Sequence, residues 1–568
     1  MSGLRPEQGR TQVKTTKPNQ PALIQALLKP EAYPHPVNHV ELIETHISWV
    51  FLTGSYAYKL KKPAHLDFVE ATTLNQRLHF CQEELRLNRR LAPDLYLGIA
   101  KIIGPADQPQ ILEENNESQE LCMKGVIEVA VKMRQFNGSR LLSNYLKQGV
   151  LQNEPLKRLA LELAEFHLSV DTATADGDFG GVEAVITPVH ANLRVLEQLQ
   201  LPDSLNSWLQ KHRSWIQRLQ EQLSMRFQQR LRNGAIRECH GDLHTGNIHL
   251  KNDGSLEVFD AIDFNSHLRW IDPISEMAFL VMDLQVRDHQ GYAMVILNEW
   301  LEHTGEYKAL DLWPWYSAYR ALVRAKVSGL QWQQLRCQPQ HESIDKKRLK
   351  DLREDLDLYI DQARQIQLTK PAGIVLMHGL SGSGKSYISE QLYQHLPAVR
   401  LRSDVERQRA FARRPLQKRL GVEKASMERC RSTPMFVGDP YRSEVSNWLF
   451  EQWLPSLAQC CLNSGLTTIV DATFLRERER QQMLHLAHQQ GCPIAIAACE
   501  CSDSTAEERV ATRMKVGVDP SDADLSVRQL QKGWLEPLTP CEQKLTVNFT
   551  ESTPIAEGLK QLRILLNR

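Results

Sequence analysis

The eight residues "GLSGSGKS" at 379–386 constrain this chain more than any others. They satisfy G-x-x-x-x-G-K-[ST] and stand between an apolar run, "GIVLMHG", and a stretch with helical character. A glycine-rich turn in that setting lets backbone N–H groups point inward around phosphate oxygens, backed by the dipole of the following helix. Gly379, Leu380, Ser381, Gly382, Ser383 and Gly384 would form the cradle. Lys385 would reach the terminal phosphates, and Ser386 would offer a hydroxyl to a magnesium ion. Further apolar strands, "AVRLRSD" and "TTIVDAT", alternate with helical stretches, so a parallel α/β sheet is expected from Pro371 onward.

Two of those strands end on carboxylates. Asp471 stands where a carboxylate can orient magnesium, and Asp404 where one can take the proton of an attacking hydroxyl, with Arg407 one helical turn on. Capping the next helix is the plainer use of either aspartate. Arg509 and Arg513 share a helix face and could clamp transferring phosphates, or could simply be solvated. Residues 371–568 resemble the P-loop kinases that include gluconate kinase, zeta toxins and polynucleotide 5′-kinases. The resemblance is carried by "GLSGSGKS", "RSDVER", "VDATF" and "RVATRMK". It implies Asp404 as the base and Arg509 or Arg513 as lid arginines that close over the phosphates.

A second constellation precedes the first by more than a hundred residues. In "CHGDLHTGNIHL" (239–250), His240, Asp242 and His244 alternate, so on an extended strand they would share one face and could cage zinc. The same letters contain D-L-x-x-x-N, with Asp242 as a base and Asn247 as a metal ligand. Downstream, "SLEVFDAIDFN" supplies Asp260 as a second metal carboxylate, with Asp263 as a near alternative. The pair Asp253–Gly254 suggests a type I′ hairpin turn before it. Upstream, "AYKLKK" offers Lys59 or Lys61, and "CQEELRLNRR" offers Glu83 or Glu84, for the lysine–glutamate pair such a site needs. Lys59 with Glu84 is the expected pair. The ordered set outweighs the zinc reading, which lacks cysteine partners beyond Cys239. His240 then becomes a brace for the loop, and His244 a loop or substrate-side residue.

Residues from about 40 to 340 resemble the aminoglycoside phosphotransferase and choline-kinase-like branch of the protein-kinase fold. The shared features are "CHGDLHTGNI", "VFDAIDFN" and "LRWIDPISEMAF". That resemblance implies ATP bound between two lobes, "VAVKMRQF" (129–136) beside the adenine, and Asp272 as a supporting carboxylate. In one respect the chain departs from protein kinases: "LTGSYAY" is much shorter than their glycine-rich loop. As a whole, the arrangement is similar to bacterial proteins described as bifunctional, aminoglycoside phosphotransferase-like and ATP-binding.

The expected fold is therefore α/β and multidomain: a two-lobed, protein-kinase-like α+β domain, then a P-loop α/β domain with a parallel sheet. The boundaries read as a disordered tail (1–22), the kinase-like domain (23–341), a helical linker (342–370) and the P-loop domain (371–568). The expected chemistry is transfer of a γ-phosphate from ATP, with Mg²⁺, to a hydroxyl of a small molecule at two nucleotide sites. Two alternatives stand beside it. The C-terminal half could be a nucleotide or nucleic-acid 5′-end kinase gripping phosphates with Arg407, Arg409 and "RRPLQKR" (413–419), or one half could sense nucleotide without turnover. Lysine plus arginine equals aspartate plus glutamate at 68 each, so no overall field draws the chain to nucleic acid. The N-terminus has no apolar signal core, and the apolar runs "MAFLVM" and "PIAIAA" are too short to cross a bilayer. With eleven scattered cysteines, a cytoplasmic, reduced protein with no membrane partner is expected.

Overall fold

The computed structural model describes residues 21–45, 47–63, 65–66, 69–113, 123–337, 342–368, 372–411, 436, 438–516, 521 and 523–567. Residues 1–20 of the expected tail (1–22) and the basic stretch 413–419 lie outside the described residues, while Ala22 already opens the helix Ala22–Ala26. The chain forms two compact units. One combines residues up to Val150 with His240–Arg269, and the other combines Leu151–Cys239 with Trp270–Arg568.

In the first unit, β1 (Glu41–Glu44), β2 (Ser48–Leu52), β3 (Tyr56–Lys61), β4 (Tyr96–Ile103), β5 (Gln110–Glu113) and β6 (Val126–Arg134) form one antiparallel sheet. Its order is β1-β2-β3-β6-β4-β5. Strand β3 is interior, and Lys59 lies opposite Val50 on one side and Val131 on the other. Period-2 alternation divides the buried side chains. Phe51, Tyr58, Leu60, Ile102 and Ala130 pack on one face with Ile24 and Leu27. Ala57, Val129 and Val131 pack on the other with Cys81 and Leu85 of helix α1 (Leu74–Asn88). Lys59 and Lys61 share the parity of Ala57 and so belong to the α1 side.

Helix α1 starts at a capping box in which Thr73 and Gln76 satisfy each other's backbone N–H. Arg77 fastens it to β6, with Nε 3.0 Å and Nη2 2.8 Å from Glu128 oxygens, both residues buried. The expected hairpin forms between Ile248–Leu250 and Leu256–Val258. Of the turn pair, however, only Gly254 takes a positive φ, and Lys251 N–H closes onto Ser255 O. The turn is thus a three-residue loop ending on a left-handed glycine, not type I′, which needs positive φ at both central residues.

The second unit begins with the long helices Asn153–Ser169, Val182–Gln198 and Asp203–Arg232. After Pro273–Val286, α2 (Gln290–Thr304) and Trp313–Arg336 comes the helix Glu342–Gln367. Along that last helix Leu356, Tyr359, Ile360 and Ala363 are buried, and the Tyr359 hydroxyl donates to Asp283 at 2.6 Å. It is packed against its own unit by an apolar stripe at helical spacing.

The same unit then builds a sheet from β7 (Ile374–His378), β8 (Ala398–Arg402), β9 (Thr467–Asp471), β10 (Ile494–Cys499) and β11 (Thr546–Phe549). All pairings are parallel, in the order β8-β9-β7-β10-β11. Four of these strands are buried at every position, as expected when helices cover both faces of a parallel sheet. The nine described cysteines are free thiols, and no described helix is long and apolar enough to cross a membrane.

Replacing Arg77 with alanine leaves the buried Glu128 side chain without its guanidinium partner. Urea titration followed on the first unit is expected to show a loss of about 3 kcal/mol, mostly recovered in Arg77→Met/Glu128→Leu. Equal stability of Arg77→Ala and wild type would show that the pair does not hold α1 to the sheet.

Candidate functional sites

The first site is assembled on β3, α1 and residues 240–263. Glu84 is fully buried, accepts from Lys59 at 2.8 Å through Oε1, and forms an ion pair with Lys61, whose Nζ lies 2.6 Å from Oε2. Lys59 also contacts Asp260, and Lys61 contacts Asp263. So the two lysines, alternatives in the sequence, act together. Of the two glutamates, Glu84 takes the interior position, while Glu83 pairs outward with Arg86 and Arg269. Asp263 is as buried as Lys61, but the Asp260 side chain remains 44% exposed. Asp260 is held at φ 65, and its N–H donates to the Tyr96 hydroxyl at 3.1 Å. A left-handed aspartate costs energy that its surroundings must offset. Asn88 helps, accepting from Ala261 N–H at 2.9 Å while donating to Glu84 O at 2.8 Å.

Asn247 meets Asp242 directly, its Nδ2 donating to the backbone O at 2.9 Å and to Oδ2 at 3.0 Å. That commits the amide nitrogen and leaves the amide oxygen as the ligand atom for a hard cation. The histidines are not equivalent ligands. His240 Nδ1 accepts from Asp242 N–H at 3.2 Å, so its proton is on Nε2 and donates to Phe259 O at 2.9 Å. One imidazole thus ties the loop bearing Asp242 to the residue before Asp260. His244 Nδ1 accepts from Gly246 N–H at 3.0 Å, which turns the other ring nitrogen toward Asp242 Oδ2, 3.5 Å away. Both rings are structural braces, and a zinc cage built on them is not formed.

Burial disfavours charge on Glu84, yet Lys59 and Lys61 outweigh it and hold the carboxyl down to about 2 from an ordinary 4.5. For Lys59 burial acts against the charge, but Asp260 and Glu84 overcome it and push the ammonium well above its usual range. Burial raises Asp263, with Lys61 only partly opposing it. The result is a lysine fixed in its cationic form beside an exposed aspartate, an arrangement suited to polyphosphate and its metal ion.

The second site lies in the other unit, around the loop 379–386. Gly379 has φ 135, and a Cβ there would stand 2.4 Å from Cys499 O. Gly382 has φ 84, and a Cβ there would stand 2.7 Å from Ala506 O. No other residue fits either position, so the turn is possible only with glycine. The loop delivers Lys385 and Ser386 to the start of helix α3 (Lys385–His395). Burial lowers Lys385 below its ordinary range, opposed by Asp471, Cys499 and Asp404. Its Nζ folds back to donate to Leu380 O at 2.9 Å.

A cavity of about 290 Å³ opens here. It is lined by Ser381, Gly382, Gly384, Lys385, Ser386, Arg402, Asp404, Arg407, Asp471, Arg509 and Arg513, among others. Asp471 ends β9 and takes the Ser389 hydroxyl at 3.1 Å on Oδ2, so it caps no helix. Asp404 lies in the first turn of helix α4 (Ser403–Ala410), whose start has no side-chain cap. Both carboxylates therefore face the cavity. Arg407 is held by Pro440 O at 3.0 Å and lies over the Tyr441 ring. Arg509 is exposed, with Nη1 3.5 Å from Gly382 O, while Arg513 donates to Ala523 O.

The residues present fit a nucleotide and its metal ion. The turn is a cradle that a Cβ would fill, and Ser383 Oγ is buried inside it without a hydrogen-bond partner. In the first site Asn247 and Asp260 offer hard oxygen donors of the kind that magnesium prefers, with Asp242 beside them. Sequence reasoning missed Ser389 and Arg402 in the second site, as well as Gln531, which accepts from Ser381 N–H at 2.8 Å. Arg402 opens the quoted "RSDVER", while Ser389 and Gln531 carry no sequence signal. In the first site it missed Tyr96 and Asn88. Asp272, expected as a supporting carboxylate, caps the helix Pro273–Val286 and grips Arg230 at 2.7 and 2.8 Å.

One more cluster, His167, Cys239 and Glu276, brings three buried ligand atoms within 4.8 Å of one another. Trp300 Nε1 donates to His167 Nδ1 at 3.0 Å, which places the ring proton on Nε2, the atom facing Glu276 at 3.5 Å. The nitrogen that a metal would need is thus protonated, and the cluster is a satisfied polar core.

Comparison with known proteins finds a family model over each of the two stretches that carry these residues. Residues 84–313 match the model of the phosphotransferase enzyme family, and residues 374–538 match that of an AAA domain. Uncharacterized proteins of Mycobacterium tuberculosis and Mycobacterium bovis are 30% identical over 303 residues, 53% of this chain and 57% of theirs. The chain thus spans little more than half the length of these relatives. Among solved structures, a choline/ethanolamine kinase family protein from Mesorhizobium loti aligns at 12% identity over 61% of this chain and 98% of its own, with TM-score 0.33. The Mycobacterium tuberculosis APS kinase aligns at 16% identity over 35% of this chain and 99% of its own, with TM-score 0.23.

The Glu84 carboxyl gives a pH test. A depressed pKa contributes stability that is fully present above the ordinary 4.5 and is lost as pH falls through the folded value near 2. The stability gap between wild type and Glu84→Gln is therefore expected to stay constant above 4.5 and to narrow between 4.5 and 2, read by denaturant titration across pH. A gap that widens on acidification would mean that the lysines do not hold Glu84 ionised.

Proposed function

We propose that this chain, which carries a phosphotransferase-family domain followed by a P-loop kinase-like domain, has two independent ATP- and Mg²⁺-dependent sites. Each would pass a γ-phosphoryl group to a hydroxyl of a small molecule. One observation carries the reading: each site joins a lysine held for phosphate, oxygen ligands for a hard cation and a separate carboxylate available as base. In the first these are Lys59, then Asn247 with Asp260, then Asp242. In the second they are Lys385, then Ser386 with Asp471, then Asp404.

In each site the lysine would bind phosphate oxygens, which in the second site the glycine loop would also orient, and magnesium held by Asn247 with Asp260, or by Ser386 with Asp471, would neutralise charge on the transferring group. Asp242 or Asp404 accepts the acceptor's hydroxyl proton as its oxygen bonds to the γ-phosphorus and the bond to the β–γ bridging oxygen breaks, releasing ADP. Asn247 keeps Asp242 oriented through Nδ2. In the second site Arg509 and Arg513 border the same cavity and are placed to meet negative charge there.

The test is ADP release and product formation across a panel of small hydroxyl compounds and nucleotides. Asp242→Ala is expected to lower turnover at the first site by about 10²–10⁴-fold and leave the second unchanged. Lys385→Ala is expected to do the reverse. If neither substitution alters turnover with any acceptor, the two-site assignment is wrong.

A further inference from the structure

Helix α2 falls within the stretch that matches the phosphotransferase family, yet it contributes a buried carboxylate to the surroundings of the P-loop site. Strand β8 is an edge of the parallel sheet, and an edge leaves N–H and C=O groups to be paired. Asn298 of α2 pairs them: Arg400 N–H donates to Oδ1 at 2.6 Å, and Nδ2 donates to Ala398 O at 2.9 Å. One helical turn on, Glu302 is 5% exposed and accepts from Arg400 through Nε at 2.9 Å and Nη2 at 2.6 Å. Its other oxygen lies 3.6 Å from Arg402 Nη1.

From Arg400 and Arg402 two routes lead to Asp471. Arg402 Nε lies 3.8 Å from Asp471 Oδ2. Arg400 Nη1 lies 3.5 Å from the Ser389 hydroxyl that donates to the same Oδ2, and 3.4 Å from Ser386 O. Arg402 itself borders the cavity. A guanidinium beside a metal-binding carboxylate competes with the cation for it, and the competition weakens when a second carboxylate shares that guanidinium.

We propose that Glu302 is a positioning residue for the P-loop site, drawing Arg400 and Arg402 toward α2 so that Asp471 stays available to magnesium. The proposal rests on the reading of the P-loop site as a nucleotide and metal site. It means that the P-loop domain has its metal carboxylate tuned by a helix of the phosphotransferase-family stretch. Glu302 is not among the residues that line the cavity, and Glu302→Gln keeps its shape while removing its charge.

Calorimetric titration of the full chain with ATP at graded Mg²⁺ tests this, following the component of binding that Lys385→Ala removes. In Glu302→Gln the Mg²⁺ concentration giving half-maximal binding is expected to rise by about tenfold or more, the usual scale for partners of a metal ligand. Adding Arg402→Met to that variant is expected to bring the midpoint back toward wild type, because the uncompensated cation is gone. Arg402→Met alone, which does not depend on Glu302→Gln folding, is expected to lower the midpoint. An unchanged midpoint in Glu302→Gln with only lower thermal stability would make Glu302 purely structural and overturn the proposal. So would loss of ATP affinity at every Mg²⁺ concentration in Arg402→Met, which would make Arg402 a phosphate ligand. If wild type shows no Lys385-dependent binding at all, the nucleotide-site reading itself fails, an outcome distinct from either of these.

Discussion

Glu84 has no solvent exposure, and each of its carboxylate oxygens is held by a lysine ammonium from the same strand. Water cannot solvate that charge, and an unpaired buried carboxylate costs several kcal/mol, so the elements meeting there cannot move independently. Lys59 and Lys61 are bound in turn by Asp260 and Asp263, which draws residues 260–263 onto the same point. The strained backbone at Asp260, the Tyr96 hydroxyl on its N–H and the Asn88 bridge to Ala261 all follow from that convergence. At the end of the chain of constraints one carboxylate, that of Asp260, is left facing solvent, where a metal ion can reach it.

The same division of labour recurs in the other unit with different residues. Glu302 and Arg400 are buried and matched, so they fix position, while Asp404 and Asp471 line a cavity. In both sites a buried carboxylate paired with a cation stands near the carboxylates that border the site. The two sites reach this by unrelated geometry. One uses a lysine from an antiparallel strand, and the other a glycine turn leading into a helix.

How legible each site was in the sequence depended on how local its determinants are. The turn at 379–386 was readable because two of its glycines sit where a Cβ would strike a carbonyl, so the motif is a direct imprint of backbone geometry. Asp242 with Asn247 was readable for a similar reason: five residues of loop bring their side chains into direct contact. Lys59 against Lys61 was not readable, because period 2 places both on the same face and only the packing of α1 shows that Glu84 takes both. Glu83 and Glu84 are neighbours with the same chemistry, and burial alone separates them. The Asp253–Gly254 pair was read as one turn and forms another, since the strands flanking it leave three residues in the loop rather than two.

By itself the sequence determined the succession of many elements, the parallel sheet after Pro371, the glycine cradle and the aspartates at its margins. These rest on periodicity, on positive φ and on spacings of a few residues, all of which act within one element or one turn. Only the tertiary structure decided which charges are matched out of water. Glu302 meets Arg400 across 98 residues, Lys61 meets Asp263 across 202, and Ser389 meets Asp471 across 82. No local pattern records such pairs. They exist because a helix covers a sheet edge or a loop closes under a strand, and the cost of an unmatched buried charge then selects the partner.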